Sequence, residues 1–158
     1  IVLSMGAEKV LNFGVAGGLH GNTEVGGVYL MEKAVQYDFD ITQLEGGKIG
    51  TLDGETENFL PLFVPEALNL PLRALGTGDR FNDSPTDHAL LLELGCDVRE
   101  MEAGAIAQVC KNAGVPFTSV KAISDVYGMG STTEQFTQNT ARACENLRAN
   151  MQKILECL

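Results

Sequence analysis

The chain has 158 residues, 44% of them hydrophobic and 20% charged, which fits one soluble globular domain and excludes a disordered segment. A chain of this length buries roughly 70% of its unfolded surface, so it holds a core without a disulfide scaffold. Eleven Lys and Arg against 21 Asp and Glu give a net charge of −10, which disfavours nucleic acid and anionic membranes as partners and leaves small neutral or cationic ligands open.

The four cysteines, Cys96, Cys110, Cys144 and Cys157, form no CxxC and have no paired histidine, which favours reduced core thiols over a disulfide framework or zinc site. No signal-peptide pattern and no membrane-length apolar run is present, so a cytoplasmic setting is expected. The chain opens on Ile1-Val2-Leu3-Ser4-Met5-Gly6-Ala7 without an initiator methionine and reads as though entered in mid-element.

In chain order, residues 1 to 6 read as the end of a helix closing at Gly6. Lys9 to Phe13 read as a buried strand, and Gly14 to Leu19 as a turn of small residues at its end. Val25 to Val35 is strand-rich, with polar Glu32 and Lys33 in its middle, and Tyr37-Asp38-Phe39-Asp40-Ile41-Thr42 follows. Residues 43 to 68 are rich in Gly, Glu and Pro and form a long excursion. Leu70 to Gly76 is a short strand, and Ser84-Pro85-Thr86-Asp87 starts a helix that ends near Gly95. Leu94 to Val98 runs as a strand into Glu100-Met101-Glu102, and an alanine-rich helix follows to Gly114. Pro116 to Ile123 is the clearest central strand, ending at Ser124-Asp125. Ser131 to Glu134 has the capping-box form, and a long helix follows with Phe136, Ala143, Leu147, Met151, Ile154 and Leu158 near one stripe. Alternating strands and helices imply an α/β protein with a mostly parallel sheet covered by helices.

Four stretches carry chemistry, each with a plain structural alternative. Small residues at Gly14 to Leu19 admit a ligand to the backbone, or simply make a turn; neither GxGxxG nor a P-loop is present. Phe81, after Thr77-Gly78-Asp79-Arg80, either stacks on a flat base or fills the core. Glu100-Met101-Glu102 either supplies a carboxylate for vicinal hydroxyls with an adaptable methionine wall, or is a solvated strand end. Asp125, ending the most apolar strand, is either a partly desolvated carboxyl able to donate a proton, or a helix cap or turn residue. His20 and His88 have no ligand-spaced partner and read as surface residues. Lys121, inside its strand, is either a site cation or an edge-facing charge.

Taken together, the blocks Asn12 to Gly18, Gly78 to Phe81, Glu100 to Ala103 and Lys121 to Val126, with Tyr37 to Thr42 between the first two, resemble the purine nucleoside phosphorylase and nucleosidase superfamily, in particular the methylthioadenosine/S-adenosylhomocysteine nucleosidases. The resemblance implies a three-layer α/β/α sandwich about a twisted mixed sheet, one domain over 1–158, and cleavage of the bond between ribose and a purine. It implies that Phe81 stacks on the base, that Asp125 is the catalytic acid at N7, and that Met101 and Glu102 hold the ribose. The backbone at Ala16 and Gly17 would border the sugar and the nucleophile, and Asn82, Glu100, Lys121 and Ser124 would complete the substrate-binding set. No cofactor and no metal is implied, and a homodimer is.

The departures bear on the nucleophile. Val15 stands where nucleosidases carry a serine that helps to hold water, and Lys121 stands where they carry arginine, a point charge in place of a fork. Asn12-Phe13 offers no arginine before the glycines for phosphate, which favours water. The family opens with a strand and turn carrying a glutamate that acts toward water, and the first match here lies beyond that point, so the chain is expected to lack the N-terminal strands and to leave a sheet edge open. Hydrolytic release of adenine is the expected reaction. A phosphate-dependent phosphorylase and a truncated, non-catalytic nucleoside-binding homologue are the alternatives.

Overall fold

The computed structural model describes residues 3–19, 21–52, 55–81 and 83–158; His20 and Asn82 therefore lie outside the described residues. After a 3-10 turn at Leu3–Met5, which closes on Gly6 at a φ of 86°, the elements are β1 (Val10–Gly18), β2 (Val28–Gln36), β3 (Leu60–Pro61), β4 (Leu72–Thr77), α1 (Pro85–Glu93), β5 (Val98–Glu100), α2 (Ala103–Ala113), β6 (Phe117–Val126) and α3 (Thr132–Glu156).

The sheet order is β3-β2-β4-β5-β1-β6, and β2 also pairs with β6, so five of these strands close into a ring with β3 appended to β2. The alternation of elements argued for a mostly parallel sheet. Instead β1–β6, β2–β4 and β4–β5 are parallel while β1–β5, β2–β3 and β2–β6 are antiparallel. The fold is mixed α/β.

Every residue of β6 is buried, the polar Thr118, Ser119, Lys121, Ser124 and Asp125 included, as in a strand covered on both faces. One face packs on α2, where Ala103, Ala107 and Cys110 join Met31, Ala34, Val98 and Ile123. The other packs on α3, where Ala143, Leu147 and Ile154 meet Leu30, Val120 and Ala122. Helices thus lie on opposite faces of the sheet. Phe136, placed near the α3 stripe by periodicity, turns instead into the cavity described below.

Gly14 to Gly18 is not a turn: β1 runs straight through it, because β6 pairs with it from Val10 to Gly18. Glu32, polar in the middle of β2, sits at a register shift against β4 between Met31 and Lys33, so the exposed carboxylate occupies a bulge rather than the core. The helix starts are as the sequence reads: Ser84 and Ser131 accept backbone N–H bonds from Asp87 and Glu134. Gly114, in the left-handed conformation, ends α2.

Cys96 and Cys110 are buried, and burial pushes the Cys96 thiol up to about 12, but Cys144 is exposed and Cys157 half-buried, so only two of the four are core thiols. His88 is not a plain surface residue: its ring stacks on Tyr127 with centroids 3.6 Å apart. No helix among the described residues is long and apolar enough to cross a membrane.

Candidate active site

β6 delivers Ser124 and Asp125 to the site through a register shift. Ala16 pairs with Ile123 but Gly17 pairs with Asp125, so Ser124 is an extra residue on β6. A bulge of this kind re-aims the side chain that follows it. Asp125 is 2% exposed; its Oδ1 accepts a 2.8 Å bond from the Ser124 hydroxyl. Its Oδ2 is buried and accepts no hydrogen bond among the described residues, with Arg99 Nη2 at 3.5 Å as its ion-pair partner. Burial pushes the Asp125 carboxyl above its usual range, and the Ser124 bond and the Arg99 charge offset this only in part.

A second carboxylate is buried for a different purpose. Glu100, at the end of β5, accepts from the Thr77 hydroxyl at 2.5 Å, from the Ala103 N–H at 3.0 Å and from the Glu102 N–H at 3.1 Å. It therefore caps α2 from two residues before the helix's own N-cap, Glu102, which makes no side-chain cap bond. Lys121 Nζ donates to Glu100 at 2.9 Å, and both side chains are almost wholly buried. Burial raises the Glu100 carboxyl, but the Lys121 ammonium and the Thr77 hydroxyl outweigh it and hold it below its usual range. Glu102 differs: its side chain is 61% exposed and lies 3.8 Å from Lys121 Nζ. Partial desolvation and the Glu100 charge raise its carboxyl.

These groups face one cavity of about 580 Å³. Of the residues singled out in the sequence, Val15, Ala16, Gly17, Phe81, Glu100, Met101, Glu102, Ser124 and Asp125 line its wall. Phe81 is 53% exposed, so it is not core; it meets Phe136 edge to face at 5.4 Å. Lys121 is the exception, since it does not line the cavity and reaches it only through Glu100 and Glu102.

Five cavity residues were not anticipated: Tyr37, Arg80, Arg99, Thr133 and Phe136. Arg80 pairs with Asp87 at 3.1 Å. Arg99 was legible in principle, since a strand reading Val-Arg-Glu with buried flanks turns its middle residue to the opposite face. Phe136 carried no distinguishing signal, because an aromatic at helical spacing reads as core. Among the described residues, no group of three or more His, Cys, Asp or Glu is placed to hold a metal ion.

Comparison with known proteins agrees with this geometry. The family model described as Phosphorylase superfamily matches residues 1–156. An aminodeoxyfutalosine nucleosidase of Campylobacter jejuni is 32% identical over 163 residues, covering 96% of this chain and 71% of that protein. A 5′-methylthioadenosine/S-adenosylhomocysteine nucleosidase of a Marinomonas species is 32% identical over 168 residues, covering 94% of this chain and 69% of its own length. Among solved structures, Arabidopsis thaliana 5′-methylthioadenosine nucleosidase superposes with a TM-score of 0.84 at 25% identity, over 98% of this chain and 64% of its own. The chain thus spans about two thirds of the length of these relatives. With the fold, the cavity and the family match in agreement, the chain belongs to the phosphorylase superfamily.

Proposed function

We propose that the chain carries the leaving-group and sugar site of an N-ribosyl hydrolase acting on adenine nucleosides of the 5′-methylthioadenosine and S-adenosylhomocysteine type. The observation that carries this reading is a pair of carboxyls in one cavity that differ in exposure: Asp125, buried on the bulge of β6, and Glu102, exposed beside Met101. Pairs of carboxyls set apart by environment divide acid work from charge stabilisation.

In this reading Phe81 and Phe136 hold the base. Asp125 gives its proton to N7 as the C1′–N9 bond breaks, so the base leaves neutral. Water adds to C1′ and its surplus proton returns to solvent. Glu102 accepts hydrogen bonds from the ribose hydroxyls, and its charge stabilises the oxocarbenium-like transition state. Met101 packs on the sugar, the Ala16 and Gly17 backbone borders it, Ser124 orients Asp125, and Glu100 with Lys121 positions Glu102. Water is favoured over phosphate because Asn12-Phe13, before the glycines of β1, offers no arginine for phosphate, and Asn12 Oδ1 accepts a bond from the Ser119 hydroxyl instead. The reading includes a single domain, a homodimer and a cytoplasmic setting, and it needs no cofactor.

The test is to incubate the full-length protein with 5′-methylthioadenosine in phosphate-free buffer and follow free adenine by chromatography. Adenine is expected to appear without phosphate. Asp125→Asn is expected to lower kcat by about 10²–10⁴-fold while leaving substrate affinity within a few-fold. Release only with phosphate would assign a phosphorylase instead, and no release under either condition overturns the reading.

A further inference from the structure

Two strands fasten β6 up to the bulge that presents Asp125, but only one continues past it. On one edge β1 pairs with β6 as far as Gly18 and Val126, and the Tyr127 N–H donates to Gly18 O at 3.0 Å. On the other edge β2 pairs with Ser119 to Ala122, and the residues before β2 add two bonds at Ile123. The Gly26 N–H donates to Ile123 O at 2.8 Å, and the Ile123 N–H donates to Gly27 O at 2.9 Å. There the strand partner on that edge ends. Val126 lies beyond it and is 1% exposed, so its N–H and C=O need partners within the protein.

The side-chain amide of Gln135, on the first turn of α3, stands where the next strand residue would be. Its Oε1 accepts from the Val126 N–H at 3.0 Å, and its Nε2 donates to Val126 O at 3.1 Å. The same Nε2 donates to Gly130 O at 3.3 Å. One bond accepted and one given, both on Val126, is the pattern of a neighbouring strand, here supplied by one side chain.

The place of this clamp matters to the site. A bulge locally disrupts a ladder, and Asp125 is the residue that follows the extra one, so its direction depends on what holds the chain just beyond. An amide supplies both donor and acceptor and adds no charge beside Asp125, whose charged neighbours include Arg99 and Asp83. The start of α3 is held independently: the Thr132 N–H donates to Asp83 Oδ2 at 3.1 Å, and Ser131 caps the helix at Glu134. Phe136 is therefore anchored without the Gln135 amide. Gln135 itself does not line the cavity.

Resting on the reading of Asp125 as the acid toward the base, we propose that Gln135 is a positioning residue for it. Gln135 acts as a surrogate strand residue that fixes the end of β6, and with it the direction of the Asp125 carboxyl.

A double-mutant cycle on the full-length protein tests this, with adenine release from 5′-methylthioadenosine followed in phosphate-free buffer. Gln135→Met keeps the side-chain length and loses the amide. It is expected to lower kcat about tenfold and to leave KM within a few-fold. In an Asp125→Asn background the same substitution should change kcat by less than twofold, because no acid is left to aim. Gln135→Glu keeps an acceptor for the Val126 N–H but, when ionised, has no donor for Val126 O; it carries the same cycle if Gln135→Met lacks the parent's far-UV circular dichroism. Equal fold-losses in the two backgrounds would make Gln135 a purely structural residue and overturn the proposal, as would a kcat within twofold of the parent in folded Gln135→Met. Adenine release undiminished by Asp125→Asn alone, or no release from the parent, defeats the reading of Asp125 and this proposal with it.

Discussion

At the scale of single residues, Lys121 shows how a charge acts on a cavity it does not touch. Its ammonium is buried against Glu100, and Glu100 in turn holds the N–H groups of Glu102 and Ala103. Removing one partner of such a pair leaves an uncompensated charge in the interior, which costs far more than the pair contributes. Lys121→Met is therefore expected to destabilise the fold by about 3–5 kcal/mol in urea unfolding. Among molecules still folded at low temperature, it should raise KM for a ribonucleoside more than for the matching 2′-deoxynucleoside, because Glu102 loses its support. Equal KM changes for the two substrates would mean that Lys121 has no part in holding the sugar site. The strand position of Lys121 was legible in the sequence, but its partner was not. The Lys121–Glu100 contact joins positions 21 apart, and nothing local announces it.

At the scale of elements, β1 is where sequence and structure part most clearly. Four of its nine residues are Gly or Ala, poor strand formers, and they fall together at its end, so that run reads as a turn. Pairing with β6 along its length overrides that preference, and the small side chains leave room for side chains from β5 and β6. Gly17→Ala is the direct test. Its methyl group would meet Asp125 Oδ2 and Arg99 Nε inside 3 Å, both on side chains able to shift, so the stability loss should be modest, about 1–2 kcal/mol. Catalysis should suffer much more, with kcat down at least about tenfold, since small displacements at a reacting centre are costly. A kcat within twofold of the parent would show that Gly17 does not shape the site. The long elements, α1, α2, β6 and α3, were all legible, because caps, periodicity or a β-branched, apolar-rich run mark them. β3 has two residues and β5 three, too short for any periodic signal. The site was legible where motifs sit at strand ends: Phe81, Met101, Glu102 and Asp125 all face the cavity. Tyr37, Arg99 and Phe136 were not recognised, because membership of a cavity is decided by which strands become neighbours.

At the scale of the whole molecule, the two buried carboxyls pull stability in opposite directions with pH. Glu100 ties β4, β5, β6 and α2 together through Thr77, Lys121 and Ala103, and its folded-state affinity for protons is lowered. The stability it contributes is fully present above the ordinary glutamate value of 4.5 and is lost as pH falls through its lowered folded value. Asp125 behaves in the reverse sense. Its affinity is raised by burial, so its charged form burdens the fold at neutral pH, and the burden lifts as pH falls through the raised value. Relief of repulsion in a chain of net charge −10 acts in the same direction as Asp125. Thermal unfolding is accordingly expected to show Tm rising on mild acidification from neutrality, reaching a maximum, and falling below the 4.5 reference for Glu100. Glu100→Gln should lower Tm at pH 7, since it leaves Lys121 without its counter-charge, and should also flatten the acid limb relative to the parent. An acid limb of unchanged slope in that variant would assign the loss to the surface carboxylates and remove Glu100 as the group that ties the strands together. Asp125→Asn should abolish part of the rise on mild acidification without touching the acid limb. The same raised proton affinity predicts an activity that declines toward alkaline pH as Asp125 gives up the proton needed at N7, so the pH of maximum stability and the pH of maximum turnover are expected to move together only while Asp125 is present.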